Sequence, residues 1–210
     1  MIKIKYVKVH GIAFSIASSA LPKLVETYDS VQFVETIERI KKAIKERDYN
    51  NTHLKRCVRL ASCGSGEGHD CFLKGITVNI LLDYPVYWTP QLQRYHFIDF
   101  VSSSSSMHTI MKQDFRKAFP TVSDKMIEEL EYARSLYENA TTAEERTKAF
   151  NNLMSLLPQG QMKQGSLTTN YLQLKNIYKQ RRGHQLKDDW GVFCDMIEKL
   201  PLFKELCNLK

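Results

Sequence analysis

A segment near the middle of the chain combines residue types that could bind an anionic ligand. Residues 91–101 include a glutamine, an arginine, a tyrosine and a histidine, and five consecutive serines follow at positions 102–106. Arginine offers paired donors to a phosphate or carboxylate, and serine hydroxyls with unhindered backbone N–H groups can surround an anionic oxygen. Serine runs are typical of flexible linkers, but this one adjoins an aromatic and apolar stretch. The sequence therefore leaves two interpretations open, an ordered loop and a ligand cradle.

Motifs for other chemistries are incomplete or absent. The glycines at 64, 66 and 68 complete neither a phosphate-binding loop nor a dinucleotide fingerprint, so they predict a plain turn before a strand. The G-x-S-x-G nucleophile elbow of a serine hydrolase does not occur. Cys57, Cys63, His69 and Cys71 could gather around zinc, but the sequence has no Cys-x-x-Cys pair, which structural zinc sites usually include. We therefore predict small buried thiols and no metal site.

The middle segment resembles the flavin-dependent thymidylate synthases. Their motif has a glutamine, two further residues, the triplet Arg-His-Arg and, further on, a serine followed closely by Arg-Tyr. The matching positions of this chain are Gln91, Arg94, Tyr95, His96 and the run Ser104-Ser105-Ser106-Met107. Only part of the motif is therefore intact.

Further matches lie on either side of this segment, in the same order as in the family. Upstream, His69 stands where the family carries a Glu-His pair. Downstream, Leu157-Pro158, Asn170 and Arg181 reproduce the spacing of a Leu-Pro pair, an asparagine that opens a helix, and an arginine. A looser match, with a shift, is made by His184, Asp189 and Trp190. The resemblance spans roughly residues 67–200 and depends on collinear order.

The resemblance implies a ThyX-like fold and methylation of C5 of deoxyuridylate or a related pyrimidine nucleotide. It implies FAD as cofactor, reduced folate and NADPH as co-substrates, and a homotetramer whose sites lie between subunits. Arg181 would be catalytic, because a held guanidinium can stabilise negative charge that develops on the uracil carbonyls. The implied nucleotide-binding residues are Gln91, Arg94, Ser104, Ser105 and Arg181. The implied flavin-binding residues are His69, Tyr95, His96, Asn170 and His184.

Four positions depart from the family's pattern. Tyr95 and His96 replace the last two residues of Arg-His-Arg, while Ser106 and Met154 each stand in place of an arginine. Each charge-assisted phosphate contact is worth roughly 1.5–3 kcal/mol, so these losses should weaken binding of a nucleotide monophosphate. Candidate replacement cations are Arg182, Lys163 and Lys179. The leading hypothesis is an enzyme, and the alternative is a catalytically degenerate nucleotide- or protein-binding module.

Local patterns predict the elements that position these residues. Alternation at Ile2, Ile4 and Tyr6 predicts an N-terminal strand, and the phase change at Val7 and Val9 indicates a bulge or the strand's end. A buried strand is predicted over residues 72–82, broken at 83–85, with a short helix near residue 90. Helical spacing predicts helices over residues 31–47 and 52–61.

The second half of the chain is predicted to be more helical. One helix contains residues 126–137, and a capping box at Thr142 opens the next, so the two should form an antiparallel hairpin. Two more helices are predicted over residues 169–180 and 188–199. The prediction is an α+β fold, with one ThyX-like domain over residues 1–210, a mixed sheet built mostly from the N-terminal half, flanking helices and a helical C-terminal half.

Composition and charge limit the class of protein. The chain has 210 residues, 43% hydrophobic and 25% charged, which excludes disordered, collagen-like and disulfide-scaffold classes. Its apolar stretches are too short to span a membrane, and five cysteines without a signal peptide predict a cytoplasmic protein with reduced thiols. The net charge of +7 favours anionic partners. Nucleic-acid binding is a weaker hypothesis, because the basic stretch at residues 175–182 lacks a recognition motif.

Overall fold

The sheet is antiparallel throughout. The structure is a computed structural model and describes residues 1–63 and 67–209. Its strands, within these residues, are β1 (Lys3–His10), β2 (Thr77–Pro85), β3 (Ile98–Ser103) and β4 (Met162–Asn170), in the spatial order β1-β2-β4-β3. All three neighbouring pairs run antiparallel. The α+β class is confirmed, whereas the predicted mixed sheet is wrong.

The two faces of the sheet explain this pairing. In the central strand β2, Val78, Ile80 and Leu82 are buried, whereas the alternating Thr77 and Asn79 are exposed. Antiparallel sheets tolerate one face in water and one on a core, whereas parallel sheets are covered on both faces. The helices therefore pack on one side, and the other side is polar.

The register of β1 and the bounds of β2 can be compared with the predicted bulge and the predicted strand over residues 72–82. The register between these strands shifts between Ile4 and Tyr6, which confirms a bulge. A 3₁₀ turn at Cys71–Gly75 precedes β2, which begins only at Thr77. The predicted break at residues 83–85 is wrong, because β2 continues to Pro85, opposite Met162. The proline is tolerated there because the strand ends at it.

Helices make up most of the remaining described chain. They are α1 (Ile12–Ser18), α2 (Ser30–Lys45), α3 (Thr52–Ala61), α4 (Thr89–Leu92), α5 (Ser106–Thr109), α6 (Phe115–Ala118), α7 (Asp124–Glu138), α8 (Ala143–Leu156), α9 (Tyr171–Arg181), α10 (Val192–Glu198) and α11 (Phe203–Leu206). The predicted helices are confirmed as α2, α3, α4, α7, α8, α9 and α10, and a π-helical turn at Lys187–Gly191 precedes α10. The capping box at Thr142 is present. None of the helices in the described residues is long and apolar enough for a membrane span.

Strands β3 and β4 have no counterpart in the sequence predictions. The serines at 102 and 103 complete β3, and β4 contains a glycine and several polar residues. Their polar side chains lie largely on the water-facing side, which lowers the apolar signal of the segment. The predicted turn at residues 64–68 lies outside the described residues at positions 64–66.

Two hydrophobic clusters hold these elements together. The larger lies against the buried face of the sheet and contains the adjoining rings of Trp88, Trp190 and Phe193. The smaller includes Phe115 of α6, Leu130 of α7 and Leu153 of α8. α7 and α8 pack against each other, as their short link predicted. The assignment of one domain to the whole chain stays a prediction.

Alkaline pH should destabilise this fold. Burial raises the pKa of Cys194 to about 11 and that of Cys207 to about 12, from an ordinary value of 9.0. Burial and the hydrogen bond to Asp189 raise the pKa of Tyr87 from 10.0 to about 12. The unfolded chain releases these protons at a lower pH than the folded chain does, so the free energy of unfolding falls as pH rises from about 9 to about 12.

Urea denaturation at a series of pH values measures this effect. Combined Cys194→Ala and Cys207→Ala substitutions should flatten the alkaline decline, whereas Cys71→Ser, which changes an exposed thiol, should leave its slope unchanged. A free energy of unfolding that stays constant up to about pH 11 would contradict the assignment of these raised pKa values.

Candidate functional site

Two distant parts of the chain meet near the C-terminal end of α9. α4 and the turn after it supply Gln91 and Tyr95, and the end of α9 supplies Arg181. Trp190 comes from the π-helical turn that precedes α10, and His184 from the segment before that turn. We call Gln91, Tyr95, Arg181, His184 and Trp190 the Arg181 cluster. Four of its five members are among the predicted site residues.

Two aromatic side chains, those of Tyr95 and Trp190, hold the guanidinium of Arg181. Its Nε donates a hydrogen bond of 2.7 Å to the hydroxyl of Tyr95, which in turn donates to Oε1 of Gln180 at 3.1 Å. The guanidinium carbon lies 4.8 Å from the ring centroid of Trp190 and 5.6 Å from that of Tyr95. Cation–π attraction and the hydrogen bond both restrict the side chain.

The terminal nitrogens of Arg181 have no carboxylate partner within the described residues. The neighbouring Arg182 differs, because it forms ion pairs with Asp195 and Glu198. Arg182 is thus engaged by two carboxylates, although the sequence made it a candidate replacement cation. Arg181 retains donors that an anionic or carbonyl oxygen could accept from.

Trp190 is the most deeply buried residue of the cluster. Its ring is fully buried, and its Nε1 donates to Oε1 of Gln91 at 2.7 Å. The ring of His184 stands edge-on, with 6.4 Å between the two centroids. The adjacent Asp189 is also buried and accepts hydrogen bonds from the backbone N–H of Ile2 and the hydroxyl of Tyr87. These bonds anchor the turn that presents Trp190.

The serine run is an ordered segment. The N–H of Ser104 donates to the carbonyl of Gln164, whose own N–H donates to Oγ of Ser104. Ser105 is the N-cap residue of α5, and the buried Ser106 donates from Oγ to Gln161 at 2.8 Å. The run therefore connects β3 directly to α5 and is not a free linker, and the ligand cradle stays a prediction.

Ser104 and Ser105 follow β3, whereas Tyr95 precedes it. The six residues of β3 span about 20 Å of backbone between Tyr95 and Ser104. Within the described residues no hydrogen bond or ion pair joins Ser104 or Ser105 to the Arg181 cluster, so their role in nucleotide binding stays a prediction.

The remaining predicted residues are separate from the cluster. Asn170 opens α9, and its side-chain oxygen accepts from the N–H of Gln173 as an N-cap. Arg94 and His96 are exposed. His69 is exposed at the surface turn before β2, near Cys63 and Glu67. Their implied roles stay predictions.

Two residues of this region had little or no signal in the sequence. Gln180, which accepts from the Tyr95 hydroxyl, is one of many polar residues in α9 and nothing marks it out. Trp190 appears in the sequence only as a loose, shifted match, although a tryptophan in a polar stretch is itself a sign of a buried ring. Met154, one of the departures, is partly buried in the smaller hydrophobic cluster.

Comparisons with known proteins bear on the fold. No protein-family model matches the sequence, and no curated protein matches it either. A crystal structure of thymidylate synthase X (ThyX) from Helicobacter pylori with FAD and dUMP matches 98% of this chain and 95% of its own, with a TM-score of 0.52 and 12% identity. The fold resembles that of ThyX. A second Helicobacter pylori ThyX structure, also complexed with FAD and dUMP, gives a TM-score of 0.51 and 12% identity over 99% of this chain and 97% of its own.

Proposed function

We propose that this protein is a pyrimidine-nucleotide-modifying transferase that resembles flavin-dependent thymidylate synthase. The reaction would transfer a one-carbon unit to C5 of dUMP or a related nucleotide. The observation that carries the proposal is the Arg181 guanidinium, held by Tyr95 and Trp190 with its terminal donors free of carboxylate partners in the described residues. The structures with a similar fold are described as complexes with FAD and dUMP.

The role proposed for Arg181 follows from its geometry. A guanidinium already fixed by aromatic rings loses little conformational freedom when a ligand binds. Its planar donors suit the carbonyl oxygens of a uracil ring, on which negative charge develops as C5 becomes nucleophilic. Stabilising that charge with a preorganised donor lowers the barrier of such a step.

Within the described residues, no hydrogen bond or ring contact joins all the residues assigned to FAD. Tyr95 and His184 belong to the Arg181 cluster, whereas Asn170 caps α9 and the ring of the exposed His96 neighbours Phe97. We therefore derive no step through the flavin. Flavin would supply the redox chemistry of such a reaction when bound, with reduced folate and NADPH as proposed co-substrates.

A homotetramer is part of the proposal. It rests on the resemblance to the flavin-dependent thymidylate synthases, whose sites lie between subunits. A cytoplasmic location is likewise proposed. Size determination of the purified protein by light scattering tests the assembly, and a monomer at all concentrations would contradict it.

Replacing Arg181 should weaken nucleotide binding. Loss of charge-assisted hydrogen bonds worth about 1.5–3 kcal/mol corresponds to a drop of about 10- to 100-fold in affinity for dUMP. Isothermal titration of Arg181→Ala with dUMP measures this drop, and an absorption spectrum with added FAD reports flavin binding in the same samples. The matched control is Arg182→Ala. It removes an equal charge from the next residue, but Arg182 already forms ion pairs with two carboxylates. Equal effects of the two variants, or no dUMP binding by the unmodified protein, would contradict the proposal.

A second candidate function is a catalytically degenerate module that binds a nucleotide or a protein without turnover. The observation in its favour is that two residues that replace the family's arginines make contacts that support the fold. Ser106 donates a hydrogen bond to Gln161, and Met154 packs against the smaller hydrophobic cluster. Incubation with dUMP, FAD, reduced folate and NADPH decides between the two functions. Formation of methylated nucleotide excludes the degenerate module, and dUMP binding without product supports it.

A further inference from the structure

Residues on either side of positions 64–66, between α3 and β2, bring three different metal-binding groups together. Cys63 lies two residues past the end of α3, and Glu67 and His69 precede the 3₁₀ turn at Cys71–Gly75. One ligand atom from each, a thiol sulfur, a carboxylate oxygen and an imidazole nitrogen, lies within 4.8 Å of the other two.

We propose that Cys63, Glu67 and His69 form a Zn²⁺ site. Thiolate, imidazole and carboxylate are the donors that zinc takes in proteins. Three protein ligands leave one tetrahedral position for water or for a ligand. Magnesium and calcium do not fit this set, because they take oxygen ligands and avoid sulfur.

The three groups are available to a metal. The thiol of Cys63 makes only a weak contact of 3.6 Å with the carbonyl of Arg59. Within residues 1–63 and 67–209, no hydrogen bond or ion pair engages the side chains of Glu67 or His69. Tetrahedral bonds of about 2.0–2.3 Å place zinc ligands about 3.5 Å apart. Side chains at the surface can close the remaining distance by changing rotamer.

A buried lysine contacts the chain on both sides of these three residues. Nζ of Lys175, whose side chain is 4% exposed, lies 2.7 Å from the carboxylate of Asp70 and donates to the carbonyl of Ala61 at 3.4 Å. The end of α3, two residues before Cys63, is thereby tied to the residue that follows His69. Because the chain is already held on both sides, metal binding has less chain entropy to overcome.

Gly68 supports the same arrangement. Its φ of +78° is in the left-handed region that favours glycine, and it stands between Glu67 and His69. The turn therefore brings two neighbouring ligands toward one point in a conformation that other residues rarely adopt.

The proposed set differs from the four residues that the sequence offered for zinc. Cys57 is buried and lies 3.2 Å from the hydroxyl of Ser19, and burial raises its pKa. Cys71 is exposed and is not part of the three-residue group. The prediction of small buried thiols is therefore wrong for Cys63 and Cys71, which are exposed. The proposed site thus keeps Cys63 and His69 from the four sequence candidates and adds Glu67 as the third ligand.

Metal titration of the full chain tests the site. Chelator-treated, reduced protein is titrated with zinc in competition with a chromophoric chelator, and with cobalt(II) for its thiolate-to-metal absorption. The expected result is one zinc per chain and a cobalt spectrum with a thiolate band. Cys63→Ser should remove that band, and Cys63→Ser or His69→Ala should weaken zinc binding at least about 100-fold, because outer-shell changes alone cost 10–100-fold.

Cys71→Ser is the matched control, since it removes another exposed thiol two residues beyond His69. It should leave the affinity and the thiolate band unchanged. Zinc should also raise the melting temperature of the unmodified protein and not that of Cys63→Ser. The proposal is overturned if zinc does not bind stoichiometrically, if Cys71→Ser weakens binding as much as Cys63→Ser, or if the cobalt complex lacks a thiolate band. The site does not depend on the proposed nucleotide chemistry, which dUMP titration tests separately.

Discussion

Lys175→Met should lower the free energy of unfolding by about 3–5 kcal/mol. The Lys175 side chain is 4% exposed, and that of its partner Asp70 is 12% exposed. Methionine keeps the aliphatic length of lysine but leaves the carboxylate of Asp70 buried without its counter-charge. Removing one partner of a buried pair is costly because the other charge stays desolvated. Urea denaturation of the variant measures the loss.

A double variant and a surface pair serve as controls. Combining Lys175→Met with Asp70→Leu removes both charges, so the double variant should be more stable than the single one. Lys41→Met breaks a pair with Glu38 in which both side chains are more than half exposed. Its expected cost is below about 1 kcal/mol. If Lys175→Met lowers the free energy of unfolding no more than Lys41→Met does, the buried pair of Lys175 with Asp70 contributes no more to stability than a surface pair.

Trp190→Ala should cost about 3–5 kcal/mol in the free energy of unfolding and should also weaken nucleotide binding. The ring is fully buried against Trp88 and Phe193, so truncation leaves a large cavity. It also removes the surface over which the Arg181 guanidinium lies. The measurements are urea denaturation and titration with dUMP.

Phenylalanine variants separate the ring from its hydrogen bond. Trp190→Phe keeps an aromatic ring but removes the Nε1–H group that donates a hydrogen bond to Oε1 of Gln91. Trp88 is equally buried, and its Nε1 has no hydrogen-bond partner in the described residues. Trp88→Phe should therefore be about 1 kcal/mol less destabilising than Trp190→Phe, and it should leave dUMP affinity closer to that of the unmodified protein. Equal losses of stability and affinity in both variants would argue against a positioning role for Trp190.

Much of the helical architecture could be predicted because its causes are local. The capping box at Thr142 involves Glu145, three residues away, and Asn170 caps α9 through the N–H of Gln173. Periodicity and capping depend on neighbours within about one helical turn. The change of alternation in β1 is likewise local and left a bulge or the strand's end open, and the pairing with β2 decided for the bulge.

The strands β3 and β4 could not be predicted in this way. Their partners are distant in the sequence, as in the pairing of Phe100 with Leu167. A strand with one face in water carries few apolar residues, and the serines that complete β3 are equally typical of a loop. Only the pairing in space distinguishes the two.

For the candidate site, the sequence alone determined the identity and order of Gln91, Tyr95 and Arg181, and the tertiary structure decided which residues meet. The bonds from Arg181 to Tyr95 and from Trp190 to Gln91 cross 86 and 99 residues. The structure also placed Ser104 at the opposite end of β3 and brought Glu67 beside Cys63 and His69. Such meetings depend on how the whole core packs, because no local rule sets the distance between side chains that are far apart in the chain.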